Sequence, residues 1–214
     1  MRAARKLAFH RGGFTLLEMV VIIAIILILI MLLIPGVQNA ISRAKTIMCL
    51  SNMHNLALAH LKYAATHDGL VLDSGSYIGD GGGNIAPANS ILIQQGYLGN
   101  EVRVFKCPLD KGNRITAYRP DPYKNLSYMR NGSDAFMLNN FKRPTQTALL
   151  VEEWEGSPFN DGYIIPGGAD YLTQRHPGGK SVMSFVDGHA RVIDAIEYNQ
   201  APDTWRNYMY LNPP

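Results

Sequence analysis

The side chains best suited to metal or acid–base chemistry lie in the C-terminal half of the chain. His176, Asp187 and His189 could form a metal site together with Glu152 or Glu153. Because alternate residues of a strand face opposite sides, at most one of the two glutamates can point at a given site. The simpler interpretation makes Asp187 a turn residue and His176 a polar cap over a sheet.

Known catalytic patterns are missing from the sequence. There is no G-x-S-x-G motif for a nucleophilic serine, and no carboxylate pair suggests glycoside hydrolysis. The glycine-rich run at 79–83 is not followed by Lys-Ser or Lys-Thr, as a phosphate-binding loop requires. We therefore expect a protein that is not an enzyme.

The first structural element that the sequence predicts is an apolar segment near the N-terminus. Residues 14–34 form a run of 21 residues in which Glu18 is the one charged residue. As a helix, such a run spans roughly 30 Å, the thickness of a bilayer core. We expect a transmembrane helix rather than a cleaved signal peptide, because no small-x-small cleavage site follows it.

Positive charge is concentrated ahead of this run. Residues 1–13 contain four basic residues and no acid, whereas the rest of the chain contains 16 basic and 17 acidic residues. The basic leader is expected to stay in the cytoplasm, with the C-terminal domain across the membrane. Nucleic-acid binding is not expected, because the near-neutral remainder lacks a clustered basic face.

The carboxylate of Glu18 requires an explanation. Left unpaired within the membrane, it costs roughly 2–3 kcal/mol or more. In one interpretation it snorkels to the near interface, because it lies close to the start of the helix. In the other it has a cationic partner at the same depth, such as the free α-amino group of a neighbouring subunit cut just before Phe14.

The segment Gly13-Phe14-Thr15-Leu16-Leu17-Glu18 resembles the prepilin signal of type IV pilins and type II secretion pseudopilins. In that family a prepilin peptidase cuts after the glycine and methylates the new N-terminal residue, here Phe14. The family glutamate, here Glu18, neutralises the N-terminal amine of a neighbour during filament assembly. A proline in the position of Pro35 is also common in these helices.

This resemblance implies a fold, a function, partners and a location. The fold is α+β and type IV pilin-like, with a long N-terminal helix packed against a small antiparallel β-sheet. The implied function is that of a structural subunit of a type IV pilus or type II secretion-like filament. The partners are the prepilin peptidase, copies of the chain or other pilin-like subunits, the inner-membrane assembly platform and the lipid bilayer before assembly. The location is the bacterial inner membrane, in a single pass with a periplasmic or extracellular C-terminal domain.

The pattern after Pro35 predicts that the helix continues as an amphipathic helix. Pro35 is expected to kink or loosen the helix without ending it, and His67-Asp68-Gly69 to end it with Gly69 as the cap. The predicted apolar stripe comprises Ile41, Ala44, Met48, Leu50, Met53, Leu56, Ala57, His60, Leu61, Tyr63 and Ala64. The predicted segments are a leader at 1–13, a transmembrane or filament-core helix at 14–35, an amphipathic second half at 36–69 and a globular α+β head at 70–214.

The head shows several local signals. Residues 73–90 predict a flexible surface loop, and 91–95 a short helix capped by Asn89-Ser90. Strands are predicted at 102–105 and 147–154. A hairpin at 181–193 is predicted around a two-residue Asp187-Gly188 turn. The alternation of apolar and polar residues in this hairpin predicts a buried face and a solvent-exposed face. The buried face would carry Met183, Phe185, Ala190 and Val192, and the exposed face Ser184, His189 and Arg191.

A second set of motifs resembles one pilin-like subgroup. The motifs are Cys49-Leu-Ser-Asn52, Phe105-Lys-Cys107-Pro108, Ser127-Tyr128-Met129, the run from Thr147 to Glu152, and Arg175-His176-Pro-Gly-Gly. The subgroup is defined by a histidine, nine intervening residues and Asp-Gly. Here ten residues separate His176 from Asp187-Gly188, so the extra residue would form a bulge in the strand.

Cys49 and Cys107 would lie outside the cytoplasm, where paired cysteines tend to form disulfides. We expect this bond, which would contribute roughly 3–4 kcal/mol in the chain-entropy model, and two reduced buried thiols are the alternative. Related pseudopilins bind calcium through carboxylates and carbonyls, and calcium takes six to eight oxygens. No cofactor is expected here and no calcium ligand is assigned, because the acids Asp161, Asp170, Asp187 and Asp194 are scattered.

A membrane-tethered binding module is the alternative function. Such a protein would capture polysaccharide or a secreted substrate through the 73–90 loop and exposed aromatic side chains. Ligand binding without assembly would distinguish it from a filament subunit.

Overall fold

The computed structural model describes residues 13–79, 86–111, 126–131, 136–154, 163–164 and 171–200. The chain divides into two compact units, Met1–Ile41 and Ser42–Pro214. Helix α1 (Leu16–Thr66) is continuous through Pro35 and contributes to both units. The layout is α+β, with one long N-terminal helix and small sheets.

The described part of the first unit is an exposed apolar helix. Every residue from 13 to 41 is exposed, and an 18-residue window has a mean hydropathy of 3.4 with 0% of it buried. In the described part of the chain, this is the one helix long and apolar enough to cross a membrane. The segment therefore fits a transmembrane helix.

The second unit buries one stripe of α1. Met53, Leu56, Ala57, His60, Tyr63 and Ala64 are buried, as the periodicity predicts, together with Cys49 and Ala59. The prediction was wrong for Ile41, Ala44 and Met48, which are exposed. Cys49 is the first buried residue along α1, so the apolar residues before this point do not belong to the buried stripe.

The helix ends as its last residues predict. The Gly69 amide donates to the Ala64 carbonyl at 2.8 Å, which closes the final turn. Asp68 and Gly69 both take left-handed backbone conformations, with φ of 52° and 83°. Glycine adopts this conformation without strain, and Asp is among the few other residues that tolerate it.

Short elements follow the helix. Strand β1 (Leu70–Val71) precedes α2 (Ser74–Ile78), whose N-cap Asp73 accepts a bond from the Ser76 amide. The predicted 73–90 loop was therefore wrong at 74–78, because an Asx cap starts a helix there. Residues 80–85 lie outside the described part of the chain.

Helix α3 (Ile91–Gln94) begins at its N-cap Ser90, as predicted. The predicted strand at 102–105 is instead a 3-10 helical turn, Val102–Phe105. Its amide groups bond locally, with Val104 N–H donating to the Glu101 carbonyl at 3.2 Å. An apolar run of four residues does not by itself distinguish these two structures.

The remaining strands form two sheets. The strands are β2 (Tyr128–Asn131), β3 (Phe136–Met137), β4 (Ala148–Glu152), β5 (Tyr163–Ile164), β6 (Lys180–Phe185) and β7 (Ala190–Asp194), followed by α4 (Ala195–Gln200). β1 pairs with β3, and the five-stranded sheet has the order β5-β2-β4-β6-β7. Its pairs are antiparallel except the parallel β2–β5 pair, which the expectation of an antiparallel sheet did not include.

The β6–β7 hairpin exists, but its predicted turn and faces were wrong. The Gly188 amide donates to the Phe185 carbonyl and Gly188 has φ of 93°, so Val186 and Asp187 are the central turn residues. This three-residue loop pairs Ser184 with Ala190 rather than with Arg191. A shift of one residue reverses which side chains share a face. β6 is buried on both faces, whereas Arg191 and Val192 of the edge strand are exposed.

Candidate functional site

The start of α1 places Glu18 beside Thr15. The Glu18 carboxylate accepts from the Thr15 amide at 2.8 Å and from its hydroxyl at 2.9 Å, while the Glu18 amide donates to Thr15 Oγ1 at 3.3 Å. This is a capping box, which satisfies amide groups that a helix start leaves unbonded. Gly13 and Phe14 are exposed just before it.

The capping box is a role for Glu18 that sequence reasoning missed. The sequence pattern that indicates a capping box is Thr15-x-x-Glu18 ahead of an apolar run. The carboxylate thus has local partners within a single chain, before any neighbour is considered.

A buried cluster in the second unit joins a histidine, a carboxylate and a disulfide. We call Thr46, Cys49, Cys107, Glu152 and His176 the His–Glu cluster. His176 Nε2 lies 2.7 Å from Glu152 Oε2, and neither side chain has exposed surface. No substrate can contact these two groups in this conformation.

The end of β4 fixes the carboxylate of this pair. Glu152 Oε2 also accepts from the Val182 amide at 2.8 Å, on the adjacent strand β6. The Glu152 carbonyl accepts from the Thr173 amide at 3.1 Å. Glu152 Oε1 has no hydrogen-bond partner among the residues described.

A tight turn fixes the histidine. His176 exchanges backbone hydrogen bonds with Lys180, at 3.2 and 3.3 Å, across a Pro-Gly-Gly turn. Gly179 has φ of 70°, and a Cβ there would lie 2.6 Å from Ile196 Cδ1. Glycine is therefore required by both conformation and space. The motif His-Pro-Gly-Gly thus orients a buried side chain, which corrects the expectation of a polar cap.

The second ring nitrogen of His176 contacts α1. Nδ1 lies 3.0 Å from Thr46 Oγ1, and the Thr46 hydroxyl is 3.0 Å from the Ser42 carbonyl. A threonine hydroxyl can donate to Nδ1 or can accept from it while donating to the carbonyl. Thr46 can therefore satisfy either neutral form of the imidazole.

Cys49 and Cys107 form a disulfide against this pair. Their Cα atoms are 5.2 Å apart, and both residues are fully buried. His176 Nε2 lies 3.9 Å from Cys107 Sγ. The bond connects α1 to the segment after the Val102–Phe105 turn.

A second buried ion pair lies beside the cluster. The guanidinium of Arg175 is 3.0 Å from Asp110, with side chains 5% and 0% exposed. Ser127 Oγ donates to Asp110 at 2.6 Å and accepts from the Cys107 amide at 2.9 Å. Asp110 and Thr46 were not anticipated, because no local pattern indicates contacts across so much of the chain.

Asp187 and His189 lie in the β6–β7 loop, away from these contacts. His189 Nδ1 is 2.6 Å from Asp187 Oδ1, with side chains 41% and 29% exposed. The Gly188 carbonyl is 2.7 Å from His54 Nδ1 on α1. In the described residues no hydrogen bond or ion pair joins His176 to Asp187. The structure thus joins His176 to Glu152, and Asp187 to His189, as separate pairs.

The acidic residues considered as calcium ligands do not form a cluster in the described part of the chain. Asp187 bonds His189, and Asp194 accepts from the Ile196 and Glu197 amides at 3.0 and 3.1 Å. Asp161 and Asp170 lie outside the described residues. In the described part of the chain, the one group of three or more metal-ligand types is Cys49, Cys107, Glu152 and His176.

The core also holds a neutral histidine. His60 is fully buried, and within the described residues neither ring nitrogen has a hydrogen-bond partner. Burial, with a smaller effect of the Arg130 charge, lowers the pKa of His60 to about 3. Burial likewise raises the pKa of the neighbouring Tyr77 phenol, whose hydroxyl donates to the Tyr128 carbonyl at 3.0 Å.

A cleft of about 550 Å³ lies on the surface of the head. Its lining includes Trp154 and Tyr171, which are 49% and 45% exposed and meet edge to face at 6.3 Å. Exposed aromatic faces of this kind suit flat apolar or sugar surfaces.

No protein-family model, curated protein or solved structure matches this chain significantly.

Proposed function

We propose that the chain is a pilin-like structural subunit of a type IV pilus or type II secretion-like filament. It is cut after Gly13 by a prepilin peptidase and assembles through the apolar half of α1. The head lies outside the cytoplasm. Apolar contacts between helices hold the filament core, and Glu18 pairs with the Phe14 amine of a neighbour.

The exposed apolar helix with a single carboxylate at its first turn carries the proposal. Its 18-residue window of mean hydropathy 3.4 buries nothing inside the chain, so surroundings must cover it. A bilayer covers it before assembly, and neighbouring helices cover it afterwards. The motif from Gly13 to Glu18 supplies a cleavage site and a charge at the same end.

The capping box makes the role of Glu18 testable in two separable parts. Glu18→Gln keeps an acceptor for the Thr15 amide but removes the charge, whereas Thr15→Ala removes the hydroxyl of the cap but keeps the charge. If charge pairing with a neighbour governs assembly, Glu18→Gln abolishes filaments and Thr15→Ala leaves them. If helix capping governs assembly, Glu18→Gln filaments form normally.

The measurements are filament yield and the N-terminus of the chain from its native membrane. We expect an N-methylated Phe14 in all variants, since the cleavage site is intact. A chain that retains Met1 in the native membrane would refute processing, and with it the pairing of Glu18 with a new amine.

The aromatic cleft favours one second candidate, a membrane-tethered binding module. Trp154 and Tyr171 would stack on a polysaccharide or a secreted substrate. Polysaccharide binding by the full chain that is lost in Trp154→Ala, with no filaments formed, would favour this function over the subunit.

A further inference from the structure

We propose that Cys49, Cys107, Glu152 and His176 bind one Zn²⁺ when the disulfide is reduced. The His–Glu cluster would then have two alternative closed forms, a disulfide and a tetrahedral zinc site. This inference does not depend on the proposed filament function.

The donor atoms already lie close enough. The four ligand atoms all lie within 4.8 Å of one another. In a tetrahedral site with Zn–S of about 2.3 Å and Zn–N of about 2.0 Å, neighbouring donors are about 3.3–3.8 Å apart. His176 Nε2 is 3.9 Å from Cys107 Sγ and 2.7 Å from Glu152 Oε2. These two distances must change by about 1 Å or less to reach tetrahedral values. The two sulfurs must also separate, which reduction of the disulfide allows.

The surroundings suit a bound cation. All four side chains are buried, and Glu152 Oε1 has no hydrogen-bond partner within the described residues. Oε2 keeps the Val182 amide, so the carboxylate stays oriented while it ligates. A buried acceptor left without a donor is costly, and a cation bound through Oε2 of the same carboxylate would offset that cost.

Thr46 provides the supporting hydrogen bond that metal-bound histidines need. With Nε2 on the metal, Nδ1–H donates to Thr46 Oγ1 and the hydroxyl donates to the Ser42 carbonyl. Such contacts fix the ring orientation of a ligand. Thr46 can therefore support the form of the imidazole that zinc requires, with its proton on Nδ1.

The donor set selects the metal. Two thiolates, one imidazole and one carboxylate suit tetrahedral Zn²⁺, whereas Ca²⁺ requires six to eight oxygens. A cleft of about 760 Å³ lined in part by Met48, Asn52, Cys107 and Asp110 adjoins the cluster on its Cys107 side, and both sulfurs are buried beneath it in the oxidised form.

The reaction needs a dithiol reductant. The dithiol transfers two electrons and two protons to the disulfide, leaving two thiols on the chain and a disulfide on the reductant. Zn²⁺ then displaces the two thiol protons to solvent. A nitrogen that ligates zinc carries no proton, so in the zinc form Nε2 is unprotonated and the ring proton lies on Nδ1, facing Thr46.

Cobalt is the probe for the test, because thiolate-bound tetrahedral Co²⁺ has a charge-transfer band. The full chain in detergent is reduced with a dithiol, freed of the reductant without air and titrated with Co²⁺ and then Zn²⁺. We expect one Co²⁺ per reduced chain, displacement by Zn²⁺, and no binding by the oxidised chain. Zinc should also raise the unfolding temperature of the reduced chain.

Variants distinguish the site from binding by loose thiols. His176→Gln and Glu152→Gln should each weaken Co²⁺ binding at least about tenfold, and Thr46→Val about 10–100-fold. His189→Gln is the matched control, because His189 pairs with an acid outside the cluster and should have no effect.

Several outcomes would overturn the proposal. The first is a reduced chain without the thiolate band. The second is equal binding in the oxidised chain. The third is a reduced chain that unfolds and is not restored by zinc. The last is a His189→Gln effect as large as that of His176→Gln.

Discussion

The two units of this chain differ in which side chains they bury. The first exposes large apolar residues from Leu16 to Ile34, and its one acid bonds a residue three positions away. The second buries Arg130, Glu152, His60 and His176, and it ties distant segments together with a disulfide. The head is therefore stabilised from within, whereas the apolar segment depends on what surrounds it.

The largest effect should come from breaking a buried pair in the head. Glu152→Ala leaves His176 without its carboxylate in a site closed to water, so we expect a loss of about 3–5 kcal/mol of unfolding free energy. Asp187→Ala is the matched control, because it removes a His–acid pair of similar length that is partly exposed. That pair should contribute only about 0–1 kcal/mol.

Urea unfolding of the full chain in detergent, followed by near-UV circular dichroism, measures both variants. Equal losses for Glu152→Ala and Asp187→Ala would contradict the contrast, because burial would then make no difference to a His–acid pair.

The next effect concerns acid sensitivity. An unfolded chain protonates His60 below its ordinary pKa of 6.5, but the folded chain does so only near the lowered pKa of about 3. The unfolded state therefore binds more protons between these values, and stability falls as pH falls from 6.5 towards 3. At pH 4.5 this amounts to about 3 kcal/mol, since one pKa unit is about 1.4 kcal/mol.

His60→Leu should remove this loss and also remove two unbonded nitrogens from the core. Unfolding midpoints at pH 7 and pH 4.5 give the measurement. His54→Leu is the control and should keep the sensitivity of the parent, because His60 is still present. A parent protein that is no less stable at pH 4.5 would contradict the buried neutral histidine.

The smallest effect is expected in the first unit. Leu27 is 50% exposed, so Leu27→Ala should change the unfolding free energy of the head by less than about 0.5 kcal/mol. Leu56→Ala, with 0% exposure, should cost about 2–5 kcal/mol. The same urea titration compares the two leucines, and a large loss for Leu27→Ala would mean that the helix start contributes to the head.

Sequence reasoning succeeded where the determinants are local. The apolar run predicts a long apolar helix, Gly69 predicts its end, and the apolar core of 147–154 predicts β4. Ser90 likewise identifies the start of α3. In each case, residues within a few positions of one another fix the conformation.

Reasoning failed where one residue in a loop decides many contacts. Gly188 in the left-handed conformation lengthens the hairpin loop by one residue, and this reverses the predicted faces of β6 and β7. The His176–Glu152 pair spans 24 positions, and the His176–Thr46 contact spans 130. No periodicity encodes such contacts, because they depend on how the strands and α1 are placed by the whole head.

The position of the disulfide has a mechanical consequence. Cys49 is the first buried residue of α1, and Cys107 belongs to the segment leading towards the sheet. A force pulling on the N-terminal end of the helix meets this covalent bond before it reaches Met53, Leu56 or His60. The bond therefore carries the load before the packed stripe does, and this stripe cannot be pulled away one turn at a time.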